Sequence, residues 1–263
     1  EIYNFKEIKK ELNAKNIFFK SNTDTEVILE SYKYWGIDFI KRLRGMFAFA
    51  MWDLKKKKLI LARDPFGIKP LYFSNKNGIY YFASQVKSLL SINDIDTSYS
   101  DAGLVSYYLW GNIQEPYTLY KNIKSIKKGS CLIIKEDGSE ETYNFANIKS
   151  AILNSNSLNF KNMKDQTIAL KEIINETVNF HQVSDTPITV LLSSGIDSNV
   201  ILGSINNKFH DNCSALTVDF KFQGEKDEVK LAKKSALMNH YNHNVAEVSN
   251  DEIISLLNNF FKN

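Results

Sequence analysis

The residues best suited to chemistry lie in LLSSGIDS, residues 191–198, directly after the apolar run that begins at Ile188. A strand that runs into Ser-Ser-Gly-x-Asp-Ser and then a helix gathers hydroxyls and backbone amides at one helix start. The positive end of the helix dipole there favours an anion. That arrangement suits a phosphate cradle. Gly195 would let the backbone approach a ligand closely or take a positive φ, and Asp197 offers a carboxylate to a magnesium ion or to the loop itself. The lysine of a Walker A loop is missing, which disfavours a kinase-like or GTPase-like loop. A serine-rich cap between strand and helix would use the same residues without any ligand, because small polar side chains are favoured there. The order of strand, loop and helix tips the balance towards the cradle.

The elements that must position this loop alternate in type. A helical run over 166–180 precedes the strand 188–192, and helical SNVILGSI follows it. Then come the strand SALTVDF, a helix from Asp227 through Met238, the strand NVAEVS and a helix from Asp251. Such alternation predicts a parallel sheet with helices on its faces, with ligands beyond the carboxyl ends of the strands. Ser193 to Ser198 falls at one of those ends.

From residue 1 to about 145 the text is strand-rich instead. RGMFAFAMWDL and KLILAR flank a lysine cluster that reads as the solvated tip of a hairpin rather than a nucleic-acid patch. Two further pairs, PLYFS with IYYFAS and SCLIIK with EETYNF, flank Asn75 to Gly78 and Asp137-Gly138. A helix is expected over 25–35, with Thr23 and Glu26 as a capping box and Gly36 as its stop, which sets Asp24 beside unpaired backbone amides. Residues 146–165, rich in Asn, Ser and Lys and without an apolar period, read as the boundary between two domains.

Composition narrows the partners. Thirty-three Lys and Arg nearly cancel 30 Asp and Glu, so no strong field argues for nucleic acid or a membrane surface. Small substrates are expected. Cys131 and Cys213 have no second Cys or His at metal-ligand spacing and read as reduced core residues of a cytoplasmic protein. No apolar run approaches the ~20 residues needed to span a bilayer, and no leader is expected.

LSSGIDS resembles the Ser-Gly-Gly-x-Asp-Ser motif of the N-type ATP pyrophosphatases, among them asparagine, GMP, NAD and argininosuccinate synthetases. RGMFAFAMWDLKKKKLILARDPFGIKPLYFS followed by YYFASQVKSLL closely resembles the glutaminase domain of the glutamine-hydrolysing asparagine synthetases. Glu1-Ile2-Tyr3-Asn4 resembles the end of that domain's Asn-Gly-Glu-Ile-Tyr-Asn segment. The resemblance implies an α+β glutaminase-type sandwich over 1–145 (a class II glutamine amidotransferase domain), a linker over 146–165, and over 166–263 the start of an α/β doubly wound parallel-sheet domain. It implies that Glu1 and Asp24 line a glutamine pocket. Leu192 and Val218 match nucleotide-contacting positions, and Ser193, Ser194, Gly195, Ile196, Asp197 and Ser198 match the pyrophosphate loop. ATP and Mg2+ are the implied cofactors, with Asp197 on the metal, and glutamine, aspartate and ATP the implied substrates; the family also admits a homodimer.

The family's chemistry begins with an N-terminal cysteine that attacks the glutamine amide. No cysteine precedes Cys131, so no catalytic residue is assigned, and Glu1 aligns inside the family's domain rather than at its start. The chain therefore reads as a fragment, with the acceptor pocket beyond Asn263 and neither half-reaction expected of these residues alone. Two positions depart from the pattern: Ser194 replaces the first Gly of Ser-Gly-Gly, and Gln85 stands where Glu is usual. Arg63, Asp64 and Lys69 lie in the most specific motif and read as a buried ion-pair network as readily as a site. His243 is kept out of the site. Alternatives remain open at this point: an amidotransferase for another carboxylate, a β-lactam-forming synthetase, or a catalytically silent binding or scaffold homologue.

Overall fold

The structure, a computed structural model of the chain, describes residues 1–154, 160, 162–184, 186–205, 212–220 and 228–262. Two compact units divide it, Glu1–Ser157 and Leu158–Asn263.

In the first unit α1 (Phe5–Asn13) and α2 (Asp24–Trp35) lead through a 3-10 segment, Gly36–Arg42, to strands β1 (Ala48–Asp53), β2 (Lys58–Arg63), β3 (Tyr72–Lys76) and β4 (Ile79–Ala83). Short α3 (Val86–Leu90) and α4 (Asp101–Trp110) precede β5 (Lys124–Ser125), β6 (Ser130–Lys135), β7 (Glu140–Asn144) and α5 (Ile148–Asn154). The strands form a four-stranded sheet, order β1-β2-β6-β7, and a three-stranded one, order β4-β3-β5. Their neighbours are all antiparallel.

All three expected hairpins are present. The Asn77-Gly78 turn takes positive φ at both residues, 52° and 82°, as a two-residue hairpin turn of matching twist requires. At the lysine tip Asp53 accepts from the amides of Lys55 and Lys56, and Lys57 reaches Glu136 at 2.7 Å, so the cluster is a solvated turn.

The alternation of side chains along the central strands explains why both faces are covered. Ile60, Ala62, Cys131 and Ile133 point into one core with Ile8, Leu12, Val27, Phe39 and Ile40 from the helical segments. Leu61, Leu132 and Ile134 point the other way, against Leu71 and Ile126 of the smaller sheet. Burial on both sides turns the strand text into a continuous apolar run rather than a two-residue alternation.

Helix α2 begins one residue earlier than the sequence suggests, and only half of its capping box closes. Thr23 Oγ1 accepts from Glu26 N at 3.4 Å, but the Glu26 carboxylate turns to the amides of Lys20 and Ser21 at 2.8 and 2.6 Å. Gly36, at φ 63°, ends the α-helix without ending helical structure, because the chain continues in 3-10 geometry.

The second unit contains α6 (Met163–His181), β8 (Ile188–Leu191), α7 (Ile196–Gly203), β9 (Cys213–Asp219), α8 (Glu228–Met238), β10 (Asn242–Glu247) and α9 (Asn250–Lys262). Its strands are parallel in the order β10-β9-β8. Val190, Leu192, Leu202, Ala215, Ala232 and Ala236 fill the core between sheet and helices.

The stretch 146–165 is less irregular than its composition suggests. Residues 148–154 are helical without burying any side chain, and α6 starts at Met163 because Asn162 Oδ1 caps Asp165 N at 3.0 Å. Residues 155–159 and 161 of the expected linker, and the expected helix start at Asp227, lie outside the described residues. Cys131 and Cys213 are buried free thiols; burial pushes Cys131 up to about 12 and raises Cys213 as well. Among the described residues no helix is long and apolar enough to cross a membrane.

Candidate functional sites

Each unit carries one candidate site. In the first, a cavity of about 570 Å³ is walled by β1 and by the start of α2, with Glu1, Asp24, Thr25, Phe49 and Lys69 among its lining residues. Glu1 and Asp24, distant in the text from β1, meet there for identifiable reasons.

Residues 1–3 run antiparallel to 44–46. Tyr3 N donates to Arg44 O at 2.7 Å and Met46 N to Glu1 O at 3.1 Å. The approach is so close that a Cβ at Gly45, whose φ is 151°, would stand 2.1 Å from Glu1 O. Gly45→Ala must therefore push the Glu1 segment off the cavity wall. A destabilisation of about 1–3 kcal/mol is expected, as for overpacking a rigid contact, read as a lowered midpoint in urea.

Asp24 occupies the first turn of α2, where backbone amides lack intrahelical partners. Its Oδ2 accepts from Ile2 N at 3.1 Å. One carboxylate thus ties the two chain segments together, and it keeps acceptor capacity for a ligand because a carboxylate offers about four lone-pair sites.

Within the RDPFGIKPLYF motif, Arg63 and Asp64 support the fold, while Lys69 and Pro70 also line the cavity. Arg63 is buried and gives Nη1 to Glu115 at 2.7 Å, to Ser125 Oγ and to Ile126 O, while Nε and Nη2 reach the carbonyls of Lys69 and Gly67 at 2.8 Å. Fully buried Asp64 accepts from the amides of Phe66, Ile68 and Lys69 at 3.0, 3.0 and 2.9 Å. The ion pair is therefore Arg63–Glu115. Asp64 is stabilised by amide dipoles, and Lys69 enters the network through its backbone while lining the cavity. Glu115 was not singled out from the sequence; a lone carboxylate in a loop before Pro116 carries no spacing signal. Gln85 is exposed at the start of α3 and makes no capping bond.

The second site lies where β8 ends. Leu192 N continues the ladder to Leu216 O at 2.8 Å, and the following residues wrap onto themselves. Ser198 Oγ is bonded to Ser193 N at 3.2 Å and Ser193 Oγ at 3.0 Å, and Gly195 N donates to Ser193 Oγ at 3.1 Å. Asn199 Nδ2 crosses back to the carbonyls of Ser193 and Gly195 at 3.1 and 2.6 Å, and its Oδ1 accepts from Ser235 of α8. These bonds start α7 at Ile196, two residues ahead of the expected Ser198.

Gly195 has φ −73°, so it is not needed for a left-handed turn; a Cβ there would instead meet Ser193 Oγ at 3.2 Å. Close approach is the surviving reason for the glycine. Ser194, Ile196 and Asp197 are exposed at the loop, and Val218 is 38% exposed near the end of β9. Leu192 differs from the rest: its side chain is 3% exposed in the core and its carbonyl accepts from Thr217 Oγ1 at 2.8 Å. It anchors the loop from below.

Thr217 Oγ1 also lies 2.8 Å from His243 Nε2. The hydroxyl has one proton and gives it to the Leu192 carbonyl, which can only accept, so His243 must carry a proton on Nε2. His243, excluded from the site by sequence reasoning, belongs to its support. Burial, and then the charge of Lys233, lower its pKa below the ordinary 6.5. The folded state therefore binds fewer protons there than the unfolded chain, and the His243 contribution to stability is complete above pH 6.5 and lost as pH falls through the lowered value. A His243→Gln variant is expected to show a flatter dependence of melting temperature on pH below 6.5.

The loop accepts an oxyanion in this structure: a Glu228 carboxylate oxygen takes Ser194 N at 3.2 Å and Ser194 Oγ at 3.3 Å. A phosphate oxygen carries the same kind of lone pairs, so the donors of Ser194 suit a phosphate oxygen as well. A resident metal fits less well. Among the described residues no group of three or more His, Cys, Asp or Glu is placed to hold an ion, and Asp197 stands as a single exposed carboxylate.

Comparison with known proteins follows the same division. A family model described as a glutamine amidotransferase domain matches residues 1–146, and one described as asparagine synthase matches residues 169–262. Three curated relatives come from Bacillus subtilis (strain 168). Its asparagine synthetase [glutamine-hydrolyzing] 1 is 39% identical over 90% of this chain and 36% of its own length. Number 3 is 34% identical over 76% and 32%, and number 2 is 30% identical over 97% and 34%. The chain thus spans about a third of the length of these relatives.

Proposed function

The chain belongs to the glutamine amidotransferase domain family, and from that premise we propose that the protein carrying it makes asparagine from aspartate, with glutamine as nitrogen donor and ATP as activator. One observation carries this reading: a single chain holds, in order, a cavity large enough to admit an amino acid with Glu1 and Asp24 on its wall and a serine loop that already accepts a carboxylate oxygen.

In the first half-reaction Asp24 pairs with the α-ammonium of glutamine, a charge-assisted contact, and Glu1 lines the same pocket, while hydrolysis of the side-chain amide releases ammonia and leaves glutamate. In the second, the β-carboxylate of aspartate attacks the α-phosphorus of ATP and pyrophosphate leaves. Ammonia then attacks the acyl carbon of the adenylate, and AMP departs with the bonding electron pair. Carboxylate oxygen is a poor leaving group, and adenylation makes it a good one. Residues 193–198 hold the departing pyrophosphate through Ser194 and the first amides of α7, where the helix dipole favours its charge. ATP is taken as its magnesium salt.

The test is product stoichiometry in the protein that carries this chain. AMP, pyrophosphate and asparagine should appear in equal amounts when aspartate, ATP and glutamine are all supplied, with ammonium able to replace glutamine. ATP turnover that ignores aspartate but responds to another acid overturns the acceptor assignment.

A further inference from the structure

The serine loop has two kinds of donor. Ser193 N and Gly195 N are spent inside the loop, on Ser198 Oγ and Ser193 Oγ. Ser194 alone among these three sends both its amide and its hydroxyl out of the loop, and one oxygen of Glu228, the first residue of α8, accepts both. That oxygen makes the pair of contacts that a phosphate oxygen would make. Two anions cannot share the same donors without repulsion and without lengthening both sets of bonds.

From these contacts the geometry points to Glu228 as an intrachain competitor for the phosphate loop, a carboxylate that pyrophosphate must displace from Ser194 on entry and that can return as it leaves. The proposal rests on the reading of 193–198 as a phosphate loop. Ser194 gives it a particular character. At this position the resembling motif has glycine, which could offer only its amide; the serine hydroxyl adds the second bond to Glu228. Both bonds are long, 3.2 and 3.3 Å, and both residues are exposed. Hydrogen bonds weaken towards that end of the range, so the carboxylate is held loosely enough to be exchanged. Its energetic scale is that of one or two exposed hydrogen bonds, and the expected change in ligand affinity is about 3- to 10-fold.

The experiment is calorimetric titration of the whole protein that carries this chain with magnesium ATP, comparing wild type, E228Q, S194G and the double variant, each checked for fold by circular dichroism. E228Q should bind about 3- to 10-fold more tightly than wild type. The gain from E228Q should shrink in the S194G background, because the serine hydroxyl no longer holds the carboxylate there. Unchanged or weaker binding by E228Q, or an equal gain in both backgrounds, overturns the competitor assignment and leaves the nucleotide site standing. Folded proteins that fail to bind ATP in all four forms overturn the phosphate-loop reading, and the competitor with it.

Discussion

In the protein that carries this chain, Asp24→Ala is expected to lower kcat/KM for the proposed glutamine hydrolysis by about 10- to 100-fold, the worth of a charged hydrogen bond to a bound α-ammonium. The reasoning needs a control, because Asp24 has two tasks. Its Oδ2 also accepts Ile2 N, tying the Glu1 segment to α2. Asp24→Asn keeps an oxygen for that bond and removes the charge. If the α-ammonium contact is what matters, the asparagine variant loses activity nearly as far as alanine while its melting temperature stays close to wild type. An asparagine variant with unchanged KM for glutamine would show that Asp24 is only a fastening, and the pocket would need another partner for the ammonium. Steady-state hydrolysis, followed by glutamate release, separates the two.

Asp64→Ala should be among the most damaging changes to stability in the first unit, costing roughly 3–5 kcal/mol. The carboxylate has no exposed surface and accepts three amide protons from the turn that follows it. Each donor left without a partner in a buried place costs on the order of 1–3 kcal/mol, less whatever the turn regains by opening to water. A loss of that size is a large part of the ~5–15 kcal/mol that holds a typical domain together. Chemical unfolding followed by tyrosine and tryptophan fluorescence reads it directly. A loss below about 1 kcal/mol would mean that the turn reorganises without the carboxylate, and the motif would then need a different explanation from the one its hydrogen bonds suggest.

Much of the molecule was legible in its text, for reasons that differ between the halves. The hairpins show because their turns demand positive φ and are written in Asn, Asp and Gly; Asn77-Gly78 is the plainest case. The β8–loop–α7 crest shows because serines and glycine follow a short apolar strand, an order with few other uses. The cavity, in contrast, was not readable from spacing. Glu1 and Asp24 are brought to β1 by a bridge between Ile2 and Gly45, and such long-range contacts leave no periodicity. Only the resemblance carried those two residues to one place. Leu192 differs again: its side chain is buried in the core, so the position matched to a nucleotide contact meets the loop through its place at the end of the strand and not through an exposed side chain. His243, named but set aside, and Glu228, not singled out, were missed for a third reason. Each acts on the loop through one side-chain contact from a different element, and a single histidine or glutamate in a sequence looks like many others.

Strand β2 leaves the larger sheet at Arg63, and β6 enters it at Ser130, and these two residues are register partners. Gly129 N closes the gap by donating to Asp64 O at 2.8 Å. Everything from 64 to 129, including the whole smaller sheet, is therefore a detour that begins and ends on one rung. In heredity this makes the segment a cassette. Insertions or deletions at its tips change the length of a loop already pinned at its neck, at an entropic cost that grows only with the logarithm of that length. The pairing of β2 with β6 need not shift by a residue. Descendants of such a chain can remodel the tips of the detour while β1 and the start of α2 keep their part of the cavity wall; only Lys69, Pro70 and Ser84 of the detour line that cavity.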